Sequence, residues 1–281
     1  MRLLWYRIDK NLKPDNHEHD LLTEFELETP MKKTMMIFIR FLMIPLTMLI
    51  WTQPAVAVEQ LVVGHFSGAS PEGGLPDGWK PLVFKNIDRH TQYSLVYDSA
   101  TDATVVKAFS QASASGLIRE MPIDPEKFPI LKWRWKATGL YKNGDVTRKD
   151  GDDFPVRIYI TFEYNSHNVD FFEKASFSAL RLIYGEYPPI GAITYIWDNK
   201  LPIGTIVTNP FTDRVKMIIV ESGEKKLNVW VDETRNIFDD YVKAFGKKPP
   251  MISGVAIMTD SDNTGEFAVS YYGDIVFESK K

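Results

Sequence analysis

Leu131-Lys132-Trp133-Arg134-Trp135-Lys136 alternates apolar and basic side chains without interruption. In an extended chain successive side chains point to opposite faces. Leu131, Trp133 and Trp135 therefore share one face, and Lys132, Arg134 and Lys136 share the other. The stretch predicts a β-strand with one side in a core and one in water.

The same period recurs on both sides of it. In Val156 to Tyr164, Val156, Ile158, Ile160 and Phe162 oppose Arg157, Thr161 and Glu163. Further strand-like runs are Tyr93 to Tyr97, Ala192 to Trp197, Val215 to Val220, Leu227 to Val231, Gly254 to Met258 and Phe267 to Phe277. Clusters such as Pro71-Glu72-Gly73-Gly74, Asn143-Gly144-Asp145, Tyr187-Pro188-Pro189 and Lys248-Pro249-Pro250 separate them, as turns require. Ala108 to Arg119 reads as an edge strand or turn, because Ser110, Ser113 and Ser115 make a poor helix. Thr234 to Phe245 has helical spacing instead, with Thr234 as cap, Gly246 at the end and Pro249 beyond. Many short strands and one amphipathic helix predict an all-β, jelly-roll-like antiparallel β-sandwich.

The chain has 281 residues, 44% apolar and 25% charged, so a sizeable core is expected. Its 13% aromatic content suits a β-rich interior. The formal charge of −4 is spread out, and no basic cluster stands ready for phosphates. Nucleic acid is not an expected partner. The lack of cysteine excludes disulfides, Cys-ligated zinc, iron–sulfur clusters and Cys nucleophiles. There is no Gly-x-Ser-x-Gly elbow and no His-Glu-x-x-His pair, which disfavours serine and zinc hydrolases.

Met31-Lys32-Lys33-Thr34, the apolar stretch Met35 to Trp51 and Ala55-Val56-Ala57 follow the order of a secretory signal peptide. Arg40 and Pro45 interrupt a run too short for a span of roughly 20 residues, so an anchor is the weaker reading. Residues 1–30 then read as an upstream extension, residues 31–57 as the leader, and residues 58–281 as a single β-sandwich domain. The expected location is periplasmic or secreted, with no stable membrane span after cleavage.

Phe66-Ser67 with Gly74-Leu75-Pro76-Asp77-Gly78-Trp79 resembles the first strand of carbohydrate-binding-module-like jelly rolls. Tyr272-Gly273-Asp274-Ile275-Val276-Phe277 is similar to their closing strand. That resemblance implies a structural calcium with Asp274 as a ligand, although Ser67 stands where an acidic partner is usual. Over about Phe66 to Phe277 the chain also resembles an exported bacterial family known as domain of unknown function 3047. The phrases carrying this include His90-Thr91, Trp133-Arg134-Trp135-Lys136, Gly151-Asp152-Asp153, Tyr184-Gly185-Glu186-Tyr187, Asn209-Pro210-Phe211-Thr212-Asp213-Arg214 and Asp262-Asn263-Thr264-Gly265-Glu266. The family brings no activity with it.

Three groups of residues offer chemistry. Asp152 or Asp153 with Glu163 would supply the two carboxylates of a glycosidase, if a loop brought them roughly 5–10 Å apart; a solvated turn is the plainer reading. Arg157, Asp213, Arg214 and Glu221 offer forks and acids for sugar hydroxyls, and Trp197, beside a turn, is the candidate exposed ring. Such Arg–carboxylate groups also occur as surface ion pairs. Asp260-Ser261-Asp262-Asn263-Thr264-Gly265 opens like an EF-hand loop, but Tyr271 stands at position 12 in place of the bidentate Glu. Asp260 and Asp262 are therefore ligands for a looser calcium at most. No cofactor is established by these residues, and calcium is the one candidate. The leading expectation is an exported sandwich that binds carbohydrate or another envelope polymer. The alternatives are a carboxylate-dependent glycan hydrolase or lyase and a non-catalytic envelope scaffold.

Overall fold

The computed structural model describes residues 57–84, 87–164 and 190–280. The upstream extension, the leader apart from Ala57, and the Tyr184 to Pro189 phrase fall outside them. Residues 54–281 cluster as one compact unit. Among the described residues no helix is long and apolar enough to cross a membrane.

Two sheets carry the fold. The strands are β1 (Gln60–Gly64), β2 (Lys80–Leu82), β3 (Gln92–Asp98), β4 (Ala103–Gln111), β5 (Ala114–Ile123), β6 (Ile130–Ala137) and β7 (Arg157–Phe162). They continue with β8 (Gly191–Asp198), β9 (Ile206–Thr208), β10 (Val215–Ser222), β11 (Val231–Asn236), β12 (Ile252–Asp260) and β13 (Phe267–Glu278). One sheet runs β11-β6-β13-β4-β3, with β1 also on β13; the other runs β2-β5-β12-β7-β8-β10-β9. This is a β-sandwich.

The decisive alternation is β6. Leu131, Trp133 and Trp135 are buried and face the second sheet: Trp133 stacks on Tyr195 at 5.1 Å, and Trp135 meets Trp197 at 6.5 Å. Ile158, Ile160 and Phe162 of β7 join the same core. Removing large apolar side chains from water is the main favourable term here, about 2–3 kcal/mol for each fully buried one.

Several expectations need correction. Among the described strands the pairing is antiparallel except for β8 and β10, which run parallel, with Val215 opposite Ala192. The crossover between them carries β9, which pairs back onto β10. Leu227 to Trp230 is turn, and β11 begins only at Val231, because Asn228 has φ 64°, a left-handed value that breaks extension. The helix, here α1, spans Ile237–Phe245 rather than starting after Thr234. Asn236 caps it by accepting from the Asp239 N–H at 3.2 Å, while Thr234 pairs with Lys132 in the sheet. Gly246, at φ 71°, closes it and donates its N–H to the Val242 carbonyl. Trp197 is not exposed: it lies at 0% on the inner face, and its indole N–H donates to the Gly223 carbonyl at 3.0 Å. Its strand runs on to Asp198, which keeps Trp197 inside the sheet and clear of the turn.

Ala108 to Arg119 is neither an edge nor a turn as a whole. It holds the end of β4 and the start of β5, two long strands that lie in different sheets. The chain passes from one sheet to the other at Ala112, whose φ is 45°. Ser110, Ser113 and Ser261 meet there in a buried hydroxyl cluster, with Ser110 Oγ 2.7 Å from Ser261 Oγ. The serines are inside because they bond one another and the backbone.

Candidate functional site

The outward face of the second sheet does not behave as a solvated face. In β7 the residues opposite the core are Arg157, Tyr159 and Thr161, followed by Glu163. Tyr159 lies beside Ala256 of β12, and Arg157 beside Met258. In β5, Ile118 lies beside Ala256 and Glu120 beside Gly254. Tyr159, Thr161, Glu163, Ile118, Glu120, Ala256 and Met258, with Leu82, Phe84, Tyr164 and Ser253, line an open groove of about 640 Å³. That volume is within the ordinary range for a ligand pocket. Gly254 keeps the strands close beneath it. A Cβ there would sit 2.9 Å from the Arg119 carbonyl and 3.5 Å from Thr161 Oγ1.

The groove joins apolar rings to two carboxylates. Glu163 is exposed, and its backbone N–H is held by the Met251 carbonyl at 2.8 Å. Glu120 is paired with Lys80 at 2.6 Å, both side chains in water. Sequence reasoning placed Glu163 on the face opposite the core but missed Glu120, Phe84, Tyr159 and Tyr164. The available signal was that Tyr159 shares the alternate register of Thr161 and Glu163.

At the inner end of the groove the face closes over charge. Arg157 is 4% exposed, its guanidinium 5.3 Å from the Tyr159 ring, and it is ion-paired with Asp260. Asp152 approaches the same guanidinium at 3.9 Å and accepts from Asn209 Nδ2 at 3.0 Å. Asp153 accepts from the Thr264 N–H at 2.6 Å and from Asn263 Nδ2 at 3.1 Å. One carboxylate oxygen each from Asp153, Asp260 and Asp262 lies within 4.8 Å of the others. Burial pushes Asp260 well above the usual carboxylate range, against the pull of Arg157. Burial raises Asp152 and Asp262 as well. Arg157 is desolvated too, yet Asp260 holds it firmly charged.

A strand thus separates what the glycosidase reading needed together. Six residues of extended chain from Arg157 to Glu163 span about 20 Å, which puts Asp152 and Asp153 out of reach of Glu163. The acidic loop is not a solvated turn either, since both aspartates are buried. Its phrase and the Asp260–Glu266 phrase, remote in sequence, form one cluster. The other candidates scatter. Arg214 precedes β10 and Glu221 sits near its far end, where it is buried and pairs with Lys226; Asp213 is exposed. Asp274 accepts from the Ser67 N–H at 2.8 Å and from Ser67 Oγ at 2.5 Å, so the serine binds the closing-strand aspartate directly.

The fold has likenesses among solved structures. A carbohydrate binding module of family 29 aligns at TM-score 0.33 and 12% identity, covering 79% of this chain and 90% of that one. A family 29 module complexed with cellulohexaose gives 0.32 and 12%, covering 79% and 92%. A thermostable cellulase derived from Cel12A of Rhodothermus marinus gives 0.31 and 10%, covering 80% and 97%. Scores of this size carry no argument about ligand or activity. No curated protein matches the chain. The family model described as protein of unknown function (DUF3047) matches residues 77–276, and the chain belongs to that family.

Proposed function

We propose that this protein, exported through its N-terminal leader, binds a segment of carbohydrate chain in the groove on the outer face of the second sheet. One observation carries the reading: the rings of Phe84, Tyr159 and Tyr164 line the same open cleft as Glu120, Thr161, Glu163 and Ser253. Sugar rings present flat apolar faces edged by hydroxyls. Aromatic side chains meet the former, and carboxylates and hydroxyls accept from or donate to the latter.

The test is retention on a panel of soluble polysaccharides by affinity electrophoresis, with calorimetry on any hit. Phe84→Ala and Tyr159→Ala should each weaken binding at least tenfold, about 1.4 kcal/mol. Tyr97→Ala, an exposed ring on the other sheet, should leave it unchanged. Equal binding by all three variants would remove the groove from consideration. The two groove carboxylates keep a hydrolase in view, and the same panel separates it. Release of reducing ends that disappears in Glu163→Gln, with binding intact, would make the groove a catalytic one.

A further inference from the structure

We propose that Asp153, Asp260 and Asp262 hold a single calcium ion at the inner end of the second sheet's outer face. Calcium binds oxygen at 2.3–2.6 Å, so two oxygens on one ion are separated by no more than about 5 Å. The three carboxylates already meet that limit, each offering one oxygen within 4.8 Å of the others. They come from two segments far apart in the chain, the loop before β7 and the end of β12 with the turn that follows it. Hydrogen bonds from Asn263 and Thr264 to Asp153 tie those segments together.

A second observation points the same way. Tyr141 is 2% exposed and its hydroxyl has no hydrogen-bond partner. Asp260 and Asp153 are the charges that act on it most strongly. Asp152 Oδ1 is also buried without a hydrogen bond, 3.9 Å from Arg157 Nη1, a donor that lacks a partner as well. A buried hydroxyl left without a partner, in the field of gathered carboxylates, suits a cation that takes six to eight oxygen ligands, some of them water.

Charge supports this. Four carboxylates surround one guanidinium, a formal −3 in a site largely closed to solvent. Arg157 neutralises Asp260 and leaves the formal charges of Asp152, Asp153 and Asp262 uncompensated. One divalent ion reduces the excess to −1. The donors are hard oxygens, with no cysteine in the chain and no histidine in the cluster, which selects calcium over zinc or copper.

The inference does not rest on the carbohydrate reading, because ion uptake is measured with no sugar present. The purified chain is stripped with EDTA and titrated with CaCl2 by calorimetry. Its thermal midpoint is then recorded with and without the ion. One calcium per chain and a higher midpoint are expected. Asp153→Asn and Asp262→Asn should each weaken binding at least tenfold. Asp262 is only half-buried, so that variant keeps the fold, which circular dichroism verifies. Absence of uptake at about 1 mM calcium, the weak end for extracellular sites, would overturn the proposal. So would Asp262→Asn binding as tightly as the unaltered chain. If the cluster is merely an Arg157 ion-pair network, calcium does nothing and Asp262→Asn raises stability by relieving repulsion.

Discussion

The outer faces of the two sheets begin from the same sequence pattern and end as opposites. On β6 the polar set is Lys132, Arg134 and Lys136. Each finds an acid across the sheet: Glu278 at 2.7 Å, Asp232 at 3.2 Å and Asp98 at 2.6 Å. On β7 the corresponding set is Arg157, Tyr159 and Thr161, and there Arg157 is buried under a loop while Tyr159 and Thr161 line a groove. The first face is a ladder of ion pairs, open to water at Arg134–Asp232 and largely covered at Lys136–Asp98. The second is covered at one end by a small apolar cluster of Val146, Phe154, Ile196, Met217 and Ile219. Alternation tells which side chains oppose the core. It does not tell what lies over them, because that depends on loops contributed from elsewhere.

The widest gap between the faces should appear when the central arginine of each is removed. Arg157→Met leaves Asp260 buried and without its partner, so a loss of about 3–5 kcal/mol is expected by urea denaturation in EDTA. Arg157→Met combined with Asp260→Leu should recover much of it, since an apolar pair avoids the desolvation cost. A loss below about 1 kcal/mol for Arg157→Met would mean that water reaches this pair, and the contrast between faces would collapse.

These particulars mark how far the sequence was legible. The β6 and β7 patterns, the strand at Phe267 to Phe277 and the Gly246 stop could be read from periodicity and turn chemistry, because those signals are local. The acidic phrases at Asp152-Asp153 and Asp260-Ser261-Asp262 were each visible alone. Their convergence was not, since a long stretch of chain and several crossings of the sandwich lie between them. Glu120 and Phe84 gave no signal at all. Each is one polar or apolar residue in an ordinary strand or strand end, and only the sheet order β2-β5-β12-β7 makes them neighbours of Tyr159. Trp197 was misread for a similar reason. A ring just before a turn-like phrase reads as exposed until the opposite sheet supplies Trp135.

Glu233 is where the charged sheet breaks its own pattern. It pairs in register with Trp133 and so points inward. Burial, with Glu221 adding repulsion and Lys226 and Arg235 opposing it, pushes its carboxyl up to about 7. Below the unfolded value near 4.5 both states are protonated and no charge is buried. As pH rises from there to about 7 the unfolded state loses its proton first, so stability falls; above about 7 the full cost is present. Glu233→Gln should flatten that slope and gain about 1–2 kcal/mol at about pH 8, a figure reduced from the full shift because the group is partly solvated. Unfolding curves of variant and unaltered chain that coincide from about pH 5 to 8 would show that water reaches Glu233 freely.

The smallest effect expected is on the solvated ladder, and it sets the scale for the rest. Arg134 and Asp232 pair at 3.2 Å with both side chains substantially in water. A double-mutant cycle of Arg134→Ala and Asp232→Ala should give a coupling of about 0–1 kcal/mol. About 0.5 M salt should erase it, since screening at that strength acts within a few ångströms. Arg134→Ala by itself can cost more than the pair is worth, because the arginine stem packs over Gly273 and its guanidinium lies 5.3 Å from the Trp230 ring. The cycle cancels those contacts and isolates the charge. A coupling above about 2 kcal/mol that survives salt would place this pair with Arg157 and Asp260 in energy, and accessibility to water would no longer be what distinguishes the two faces.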